Sequence, residues 1–171
     1  MAYFHFLIDV STSTSHFRHT NIFWHLNAQI DLLEEANQTA IVPHDVGITL
    51  FADKTLYQAI KLPIDDLRKI VSEFREILKP GSAVIDQIAR TLSLVSEHAH
   101  ELQRQKKMLI FSDFEDNLSH FYSLHVLGEM ILSQQLSNDF ELHVIGPKNS
   151  FRKLLLNLHF IPENILFLDI K

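Results

Sequence analysis

Runs of apolar residues recur along the chain at lengths typical of buried β-strands. Five of them, rich in Val, Ile, Leu and Phe, cover residues 3–9, 44–51, 107–112, 139–146 and 164–169. Between most of these runs, apolar residues repeat with a helical period, first at Phe23, Leu26, Ile30 and Leu33 and then within 64–78, 83–102, 117–135 and 149–158. Strands that alternate with helices predict a parallel sheet with helices on both faces.

Residues 48–62 depart from this alternation, because two β-like runs surround Ala52-Asp53-Lys54 with no room for a helix. This pattern predicts a hairpin, in which one strand is antiparallel to its neighbour. We therefore expect an α/β fold: a doubly wound, Rossmann-like and mostly parallel sheet of six strands, with one antiparallel edge strand. A chain of 171 residues is the size of one domain, which we assign to residues 1–171.

Composition narrows the classes of function. The net charge is −6, which argues against a nucleic-acid partner, and the absence of cysteine excludes disulfides, zinc thiolates and a thiol nucleophile. The chain begins without a basic signal region, and no apolar run approaches the length of a membrane span. We therefore expect a soluble cytoplasmic protein without a membrane partner.

Phosphate-binding motifs are missing from the sequence. Only four glycines occur, and neither Gly-x-Gly-x-x-Gly nor Gly-x-x-x-x-Gly-Lys-Ser/Thr is present. These motifs let the backbone surround a phosphate. Their absence counts against a dinucleotide or nucleotide triphosphate enzyme.

The most informative polar residues follow the first strand, in Asp9-Val10-Ser11-Thr12-Ser13. In open α/β sheets, ligands bind at the carboxyl ends of the strands. One carboxylate and two hydroxyls at alternating positions offer hard oxygen atoms, which Mg²⁺ prefers. The spacing predicts a metal site at this edge of the sheet.

Two further segments bring similar residues to the same edge. Gly81-Ser82 opens the third predicted helix, and Ser112-Asp113 ends the fourth predicted strand. In a doubly wound sheet with the first strand central, the ends of the first and fourth strands are neighbours. Asp9 and Asp113 are therefore expected to face each other.

In order and context, these three segments resemble the metal-ion-dependent adhesion site (MIDAS) of the von Willebrand factor A (vWA) domain. That family carries Asp-x-Ser-x-Ser after its first strand, a Thr after Gly in a later loop, and Thr-Asp-Gly after its fourth strand. The resemblance implies a Mg²⁺ or Mn²⁺ ion bound directly by Ser11, Ser13 and Ser82, with Asp9 and Asp113 acting directly or through water.

The resemblance also implies a function. Hydroxyl ligands leave the ion electrophilic, so an Asp or Glu of a partner protein can complete its coordination. The expected role is metal-bridged protein binding rather than catalysis, with an AAA+ ATPase or another multi-protein complex as the type of partner. The family closes with a helix that this chain is expected to lack, which would leave one sheet face thinly covered and favour self-association.

Two departures from the family pattern concern the site itself. Ser82 stands where the family has Thr, which keeps the hydroxyl but loses the methyl group. Phe114 stands where the family has Gly and less easily takes a positive φ. Three consequences of Phe114 stay open: a reshaped loop, an occluded site or a contact with the partner.

Two other functions remain as alternatives. A PIN-like nuclease also begins with a strand that ends in Asp-x-Ser, and it would gather several carboxylates around Mg²⁺ or Mn²⁺. Its candidate acids here are Asp9, Asp113, Asp116 and either Glu34 or Glu35. The second alternative is a vWA scaffold with a vestigial metal site, which would bind its partner through apolar surface.

Overall fold

One mixed β-sheet with helices on both faces forms the framework of the protein. The structure is a computed structural model that describes residues 2–14, 23–74, 77–102, 105–137, 139–147 and 165–169. Within these residues the strands are β1 (Ala2–Asp9), β2 (Asp45–Phe51), β3 (Thr55–Ala59), β4 (Gln105–Phe111), β5 (Phe140–Gly146) and β6 (Ile165–Asp169). The helices are α1 (Phe23–Thr39), α2 (Ile64–Phe74), α3 (Val84–Leu102) and α4 (Leu124–Gln135), with a short 3₁₀ turn at Thr12–Thr14.

The strand order is β3-β2-β1-β4-β5-β6, and every neighbouring pair is parallel except β2 and β3. The chain first adds strands on one side of β1 and then crosses to the other side with β4. The carboxyl ends of β1 and β4 therefore adjoin at the switch point, where Ile8 pairs with Phe111. The predicted α/β fold with a mixed sheet is confirmed.

Alternation along β1 divides the core between the two faces of the sheet. Phe6 and Ile8 pack with α1 and α2 on one face. Leu7 packs with α3 and α4 on the other. Since both faces of β1 are buried, its sequence is a nearly continuous apolar run, as expected for a central parallel strand.

Two predicted helices have different limits in the structure. The helix predicted over 64–78 ends at Phe74, and residues 77–78 are not helical. The helix predicted over 117–135 begins only at Leu124, because the polar groups of residues 117–123 bond to the start of α3 instead. Ser123 is the N-cap of α4, and its side chain accepts a hydrogen bond from the Val126 N–H.

The helix predicted over 149–158 lies outside the described residues. No helix within the described part of the chain has both the length and the apolar character that a membrane crossing requires.

Candidate metal centre

The Asp9 carboxylate is the hub of the polar cluster at the switch point. Asp9 ends β1 and is buried. Its Oδ1 accepts a hydrogen bond from the Ser11 N–H at 2.8 Å. Its Oδ2 accepts from the hydroxyls of Ser82 at 2.9 Å and Ser112 at 2.8 Å. Asp9 thus holds together three segments that are far apart in the sequence.

Ser11 and Ser13 lie in the turn that follows β1, and their hydroxyl oxygens are 2.9 Å apart. The turn is closed locally because the Thr14 hydroxyl donates to the Ser11 carbonyl oxygen at 2.6 Å. It is also fixed from outside by Lys79, whose N–H donates to the Val10 carbonyl and whose carbonyl accepts from the Thr12 N–H. The two hydroxyls are therefore held side by side.

Ser82 reaches Asp9 from the segment that leads into α3. Gly81 has a φ of 77°, a conformation that strains other residues, and it turns the chain toward the site. The Ser82 N–H donates to Asn117 Oδ1 at 2.9 Å, and the next N–H, of Ala83, donates to the Ala52 carbonyl at 2.9 Å. Contacts with both neighbouring loops thus position the Ser82 hydroxyl.

Asp113 lies just beyond the end of β4 and is only 2% exposed. Its Oδ1 accepts a hydrogen bond from the Glu115 N–H at 3.1 Å. Its Oδ2 is buried and has no hydrogen-bond partner within the described structure. A buried carboxylate oxygen without a donor is costly, so this atom is a position at which a cation would be stabilising.

Phe114 adopts a positive φ of 59°, and its side chain is buried. Its N–H donates to the Ser112 hydroxyl at 2.9 Å, and its ring belongs to the core beneath α3 and α4. Gly146 makes room for it, since a Cβ at that position would lie 2.9 Å from the Phe114 ring. Because the ring points into the core, Phe114 neither covers the site nor presents its side chain to a partner.

Burial dominates the electrostatics of Asp9 and raises its pKa from 3.8 to about 6. Hydrogen bonds from Ser11 and Ser112 lower this pKa, and the negative charge of Asp113 raises it. The two carboxylates therefore repel each other in a poorly solvated place. A divalent cation bound between them would replace this repulsion with attraction of both carboxylates to the ion.

The residues present fit Mg²⁺ or Mn²⁺. The Ser82 hydroxyl, which donates its proton to Asp9, keeps its oxygen lone pairs for an ion, whereas the Ser112 oxygen also accepts a hydrogen bond from the Phe114 N–H. Within the described residues no group of three or more His, Asp or Glu side chains could hold a metal, so the oxygen donors here are two carboxylates and several hydroxyls. Such hard oxygen donors suit these ions better than softer metals.

Ser112 belongs to the same hydrogen-bonded cluster, although the set predicted from the sequence omitted it. Its hydroxyl donates to Asp9 and accepts from Phe114, so it ties the ends of β1 and β4 together. The predicted set named Asp9, Ser11, Ser13, Ser82 and Asp113. The structure joins the first four of these through hydrogen bonds and places Asp113 beside Ser112.

Apart from Asp113, the acids of the nuclease alternative do not gather around Asp9. Glu34 pairs with Arg68 at 2.8 Å on the side of α1, and Glu35 is exposed on the same helix. Asp116 accepts hydrogen bonds from the Ile85 N–H and the Ser119 hydroxyl. The additional carboxylates are thus occupied elsewhere or point to solvent.

Solved structures with the same architecture identify the fold. The chain matches the vWA domain of SpRpn10 with a TM-score of 0.67 and 13% identity, over 99% of this chain and 88% of that one. It matches BatB from Bacteroides thetaiotaomicron with a TM-score of 0.61 and 12% identity, over 100% and 92% of the two chains. This protein therefore has the vWA fold.

A third match concerns metal binding in a related fold. Proximal thread matrix protein 1 from the mussel byssus, with a zinc-occupied MIDAS motif, matches with a TM-score of 0.66 and 17% identity. The match covers 97% of this chain but only 41% of that protein. Comparisons with protein-family models and with curated proteins found no match.

Proposed function

We propose that this protein is a non-enzymatic interaction module that binds a protein partner through Mg²⁺ or Mn²⁺. Asp9, Ser11, Ser13, Ser82 and Asp113 hold the ion, and an Asp or Glu of the partner supplies a further oxygen. The vWA fold supports this class of function, and the zinc-occupied MIDAS motif of a solved structure with the same fold supports a metal at this place.

The observation that carries the proposal is the bare, buried Oδ2 of Asp113 beside the hydroxyl-bonded carboxylate of Asp9. Every other carboxylate oxygen of the pair accepts a hydrogen bond. A polar oxygen removed from water and left without a donor indicates that a positive ligand belongs there.

The donor set also determines what the ion would do. Neutral hydroxyls coordinate a divalent ion without cancelling its charge, so this site places fewer negative charges around the ion than a site built from carboxylates alone. An ion held partly by neutral hydroxyls keeps its attraction for one more carboxylate. The partner's acidic side chain is thus the natural additional ligand, and removing the metal would abolish the binding.

The kind of partner and the cellular location follow from analogy alone. We propose a cytoplasmic role in a multi-protein complex, such as one built around an AAA+ ATPase. We also propose that the chain self-associates, which sedimentation of the purified protein tests.

Calorimetric titration of Mg²⁺ and of Mn²⁺ tests the metal site. We expect wild type to bind one ion and Ser13→Ala to lose that binding, because a hydroxyl ligand is removed. Ser133→Ala, an exposed serine on α4, is the matched control and should bind like wild type. Equal binding by wild type and Ser13→Ala would contradict coordination by the hydroxyl.

Two further results would favour the alternatives. Metal-dependent cleavage of RNA or DNA that is lost in Asp113→Asn would favour a nuclease. A wild-type chain that binds no ion at all, with or without an acidic partner peptide, would favour a scaffold with a vestigial site.

A further inference from the structure

The loop between β4 and α4, residues 115–123, is fastened to the start of α3. Three of its consecutive backbone N–H groups donate to the Asp86 carboxylate at 2.8 to 3.1 Å: those of His120, Phe121 and Tyr122. Two more donate to the Ser82 carbonyl oxygen at 3.1 Å, from Asn117 and Leu118. Because charge-assisted bonds are strong, this β4–α4 loop is held in one conformation.

The β4–α4 loop nevertheless exposes two large apolar side chains. Phe121 is 75% exposed and Leu118 is 37% exposed. An isolated exposed apolar residue is ordinary. Two exposed apolar side chains on one hydrogen-bonded loop are better suited to binding a partner than an isolated one. The loop backbone is already ordered, so little further conformational entropy is lost on binding.

Leu118 borders the candidate metal centre directly. Its side chain lies on the α-carbon of Gly81, since a Cβ built there would be 2.1 Å from Leu118 Cδ1. The next residue is Ser82, whose hydroxyl bonds to Asp9. A partner that places a carboxylate on the metal would therefore pass beside Leu118.

Two exposed cations lie in the same region. The Arg90 guanidinium is 4.9 Å from the centre of the Phe121 ring, and Lys79 pairs through its backbone with Ser11. No carboxylate of the described residues lies within ion-pair distance of either cation. Glu115 is an exposed acid of the loop itself. Asp86, Asp113 and Asp116 are further acids of this region, so the attraction for an acidic partner comes from the divalent ion and these two cations rather than from the net charge of the surroundings.

We infer that the β4–α4 loop is a second contact for the partner, and that the partner segment carries large apolar side chains next to its metal-binding carboxylate. Leu118 and Phe121 contact these apolar side chains, and the Arg90 guanidinium packs against the Phe121 ring. This inference rests on the proposed function, because the metal supplies the anchor for the carboxylate. Aromatic and arginine side chains are frequent sources of binding energy at interfaces.

Selection of a displayed library of random peptides on the full-length chain in millimolar MgCl₂, with elution by EDTA, tests the inference. We expect recovered peptides to combine an Asp or Glu with nearby Leu, Ile, Phe or Met. The double variant Leu118→Ser/Phe121→Ser should bind these peptides at least about tenfold more weakly. Calorimetry with MgCl₂ alone should give the same metal affinity for this variant as for wild type.

The control is Leu32→Ser/Leu136→Ser, which removes two other exposed leucines, on α1 and after α4. It should bind the peptides like wild type, and circular dichroism should show equal folding of all three proteins. Recovered peptides that share an acid but no apolar residue, or that bind the loop variant equally well, would overturn the inference and leave the metal bridge standing. If elution with EDTA releases no more peptides than elution with buffer that contains MgCl₂, the metal bridge is overturned and this inference with it.

Discussion

Phe114 combines a strained backbone with a well-packed side chain. A positive φ is a true outlier for a bulky residue and costs about 1–2 kcal/mol. Burial of the ring against Gly146 and the bond from its N–H to Ser112 offset that cost. The conformation of the Asp113 loop therefore depends on packing in the core rather than on a flexible glycine.

Substitutions at Phe114 should separate the cost of the strained backbone from the gain of packing the ring. Phe114→Ala loses the ring and keeps the strain, and we expect it to lower the free energy of unfolding by about 3–5 kcal/mol. Phe114→Gly loses the same packing but relieves the strain, so it should be more stable than Phe114→Ala by about 1 kcal/mol. Urea unfolding of both variants measures the difference. If alanine proves as stable as glycine here, the backbone is not strained.

His5, on β1, is a buried polar residue outside the candidate metal centre. The His5 ring is buried, with Nδ1 2.8 Å from the Tyr3 hydroxyl and Nε2 2.9 Å from Thr49 Oγ1. Burial, followed by the charge of His98, lowers the pKa of His5 from 6.5 to about 3. The folded protein thus holds this imidazole neutral at any pH near neutrality.

Acidification should therefore weaken the fold through His5. Between pH 6.5 and 3, His5 is protonated in the unfolded chain but neutral in the folded chain. The free energy of unfolding therefore falls as the pH falls. The expected slope is about 1.4 kcal/mol per pH unit. Urea unfolding of wild type and His5→Gln at several pH values measures it as the difference between the two proteins.

The raised pKa of Asp9 acts in the opposite direction, because the folded state then binds a proton more readily between pH 6 and 3.8. Both proteins contain Asp9, so its effect cancels in the difference. Parallel stability curves for wild type and His5→Gln would rule out His5 as the titrating group.

Among the elements, α3 organises the candidate metal centre. Its first turn contains Asp86, which is 3% exposed and binds the N–H groups of the β4–α4 loop. A carboxylate there also interacts favourably with the helix dipole. Ser82, just before the helix, is held by the same loop through Asn117. One contact between helix and loop therefore positions a candidate metal ligand.

Asp86→Ala should release the β4–α4 loop. We expect a loss of about 2 kcal/mol in stability and much faster hydrogen exchange at the amides of His120, Phe121 and Tyr122. Amide exchange followed by NMR measures both effects. Ser123→Ala, which removes the N-cap of α4, should cost about 1 kcal/mol and leave those three amides protected. Slow exchange in Asp86→Ala would show that other contacts hold the loop.

The same loop shows where periodicity alone was insufficient. Residues 117–123 continue an apparently helical pattern, yet their N–H groups bond to Asp86 and Ser82 in another part of the chain. Local spacing carries no information on such distant acceptors. Ser123, a good N-cap residue, was the local signal that the helix begins later.

At the scale of the whole molecule, the candidate ligands come from three distant parts of the sequence, residues 9–13, 82 and 113. An ion that joins them binds only the folded chain and should stabilise it. For a dissociation constant near 1 mM, MgCl₂ at ten times that concentration adds about 1.4 kcal/mol. Thermal unfolding with MgCl₂ or EDTA measures this shift, which Ser13→Ala should not show. A shift that persists in Ser13→Ala would indicate a different ion site.

The architecture was largely predictable because it depends on pattern. The apolar runs gave the strands, and the short connection at Ala52–Lys54 gave the antiparallel pair β2 and β3. The switch-point rule then brought Asp9 toward the end of β4. The roles of Ser112 and Asp86 were not predictable, since both depend on hydrogen bonds across more than 30 residues.

The position of the end of β4 depends on Gly146 in the neighbouring strand β5. A methyl group there would lie 2.0 Å from the Ser112 carbonyl oxygen, so even alanine would displace the end of β4. That displacement would move the Ser112 hydroxyl away from Asp9 and break the hydrogen bond between them. In a mutational screen for lost metal binding, this glycine on β5 should rank with the oxygen donors although it offers the ion nothing.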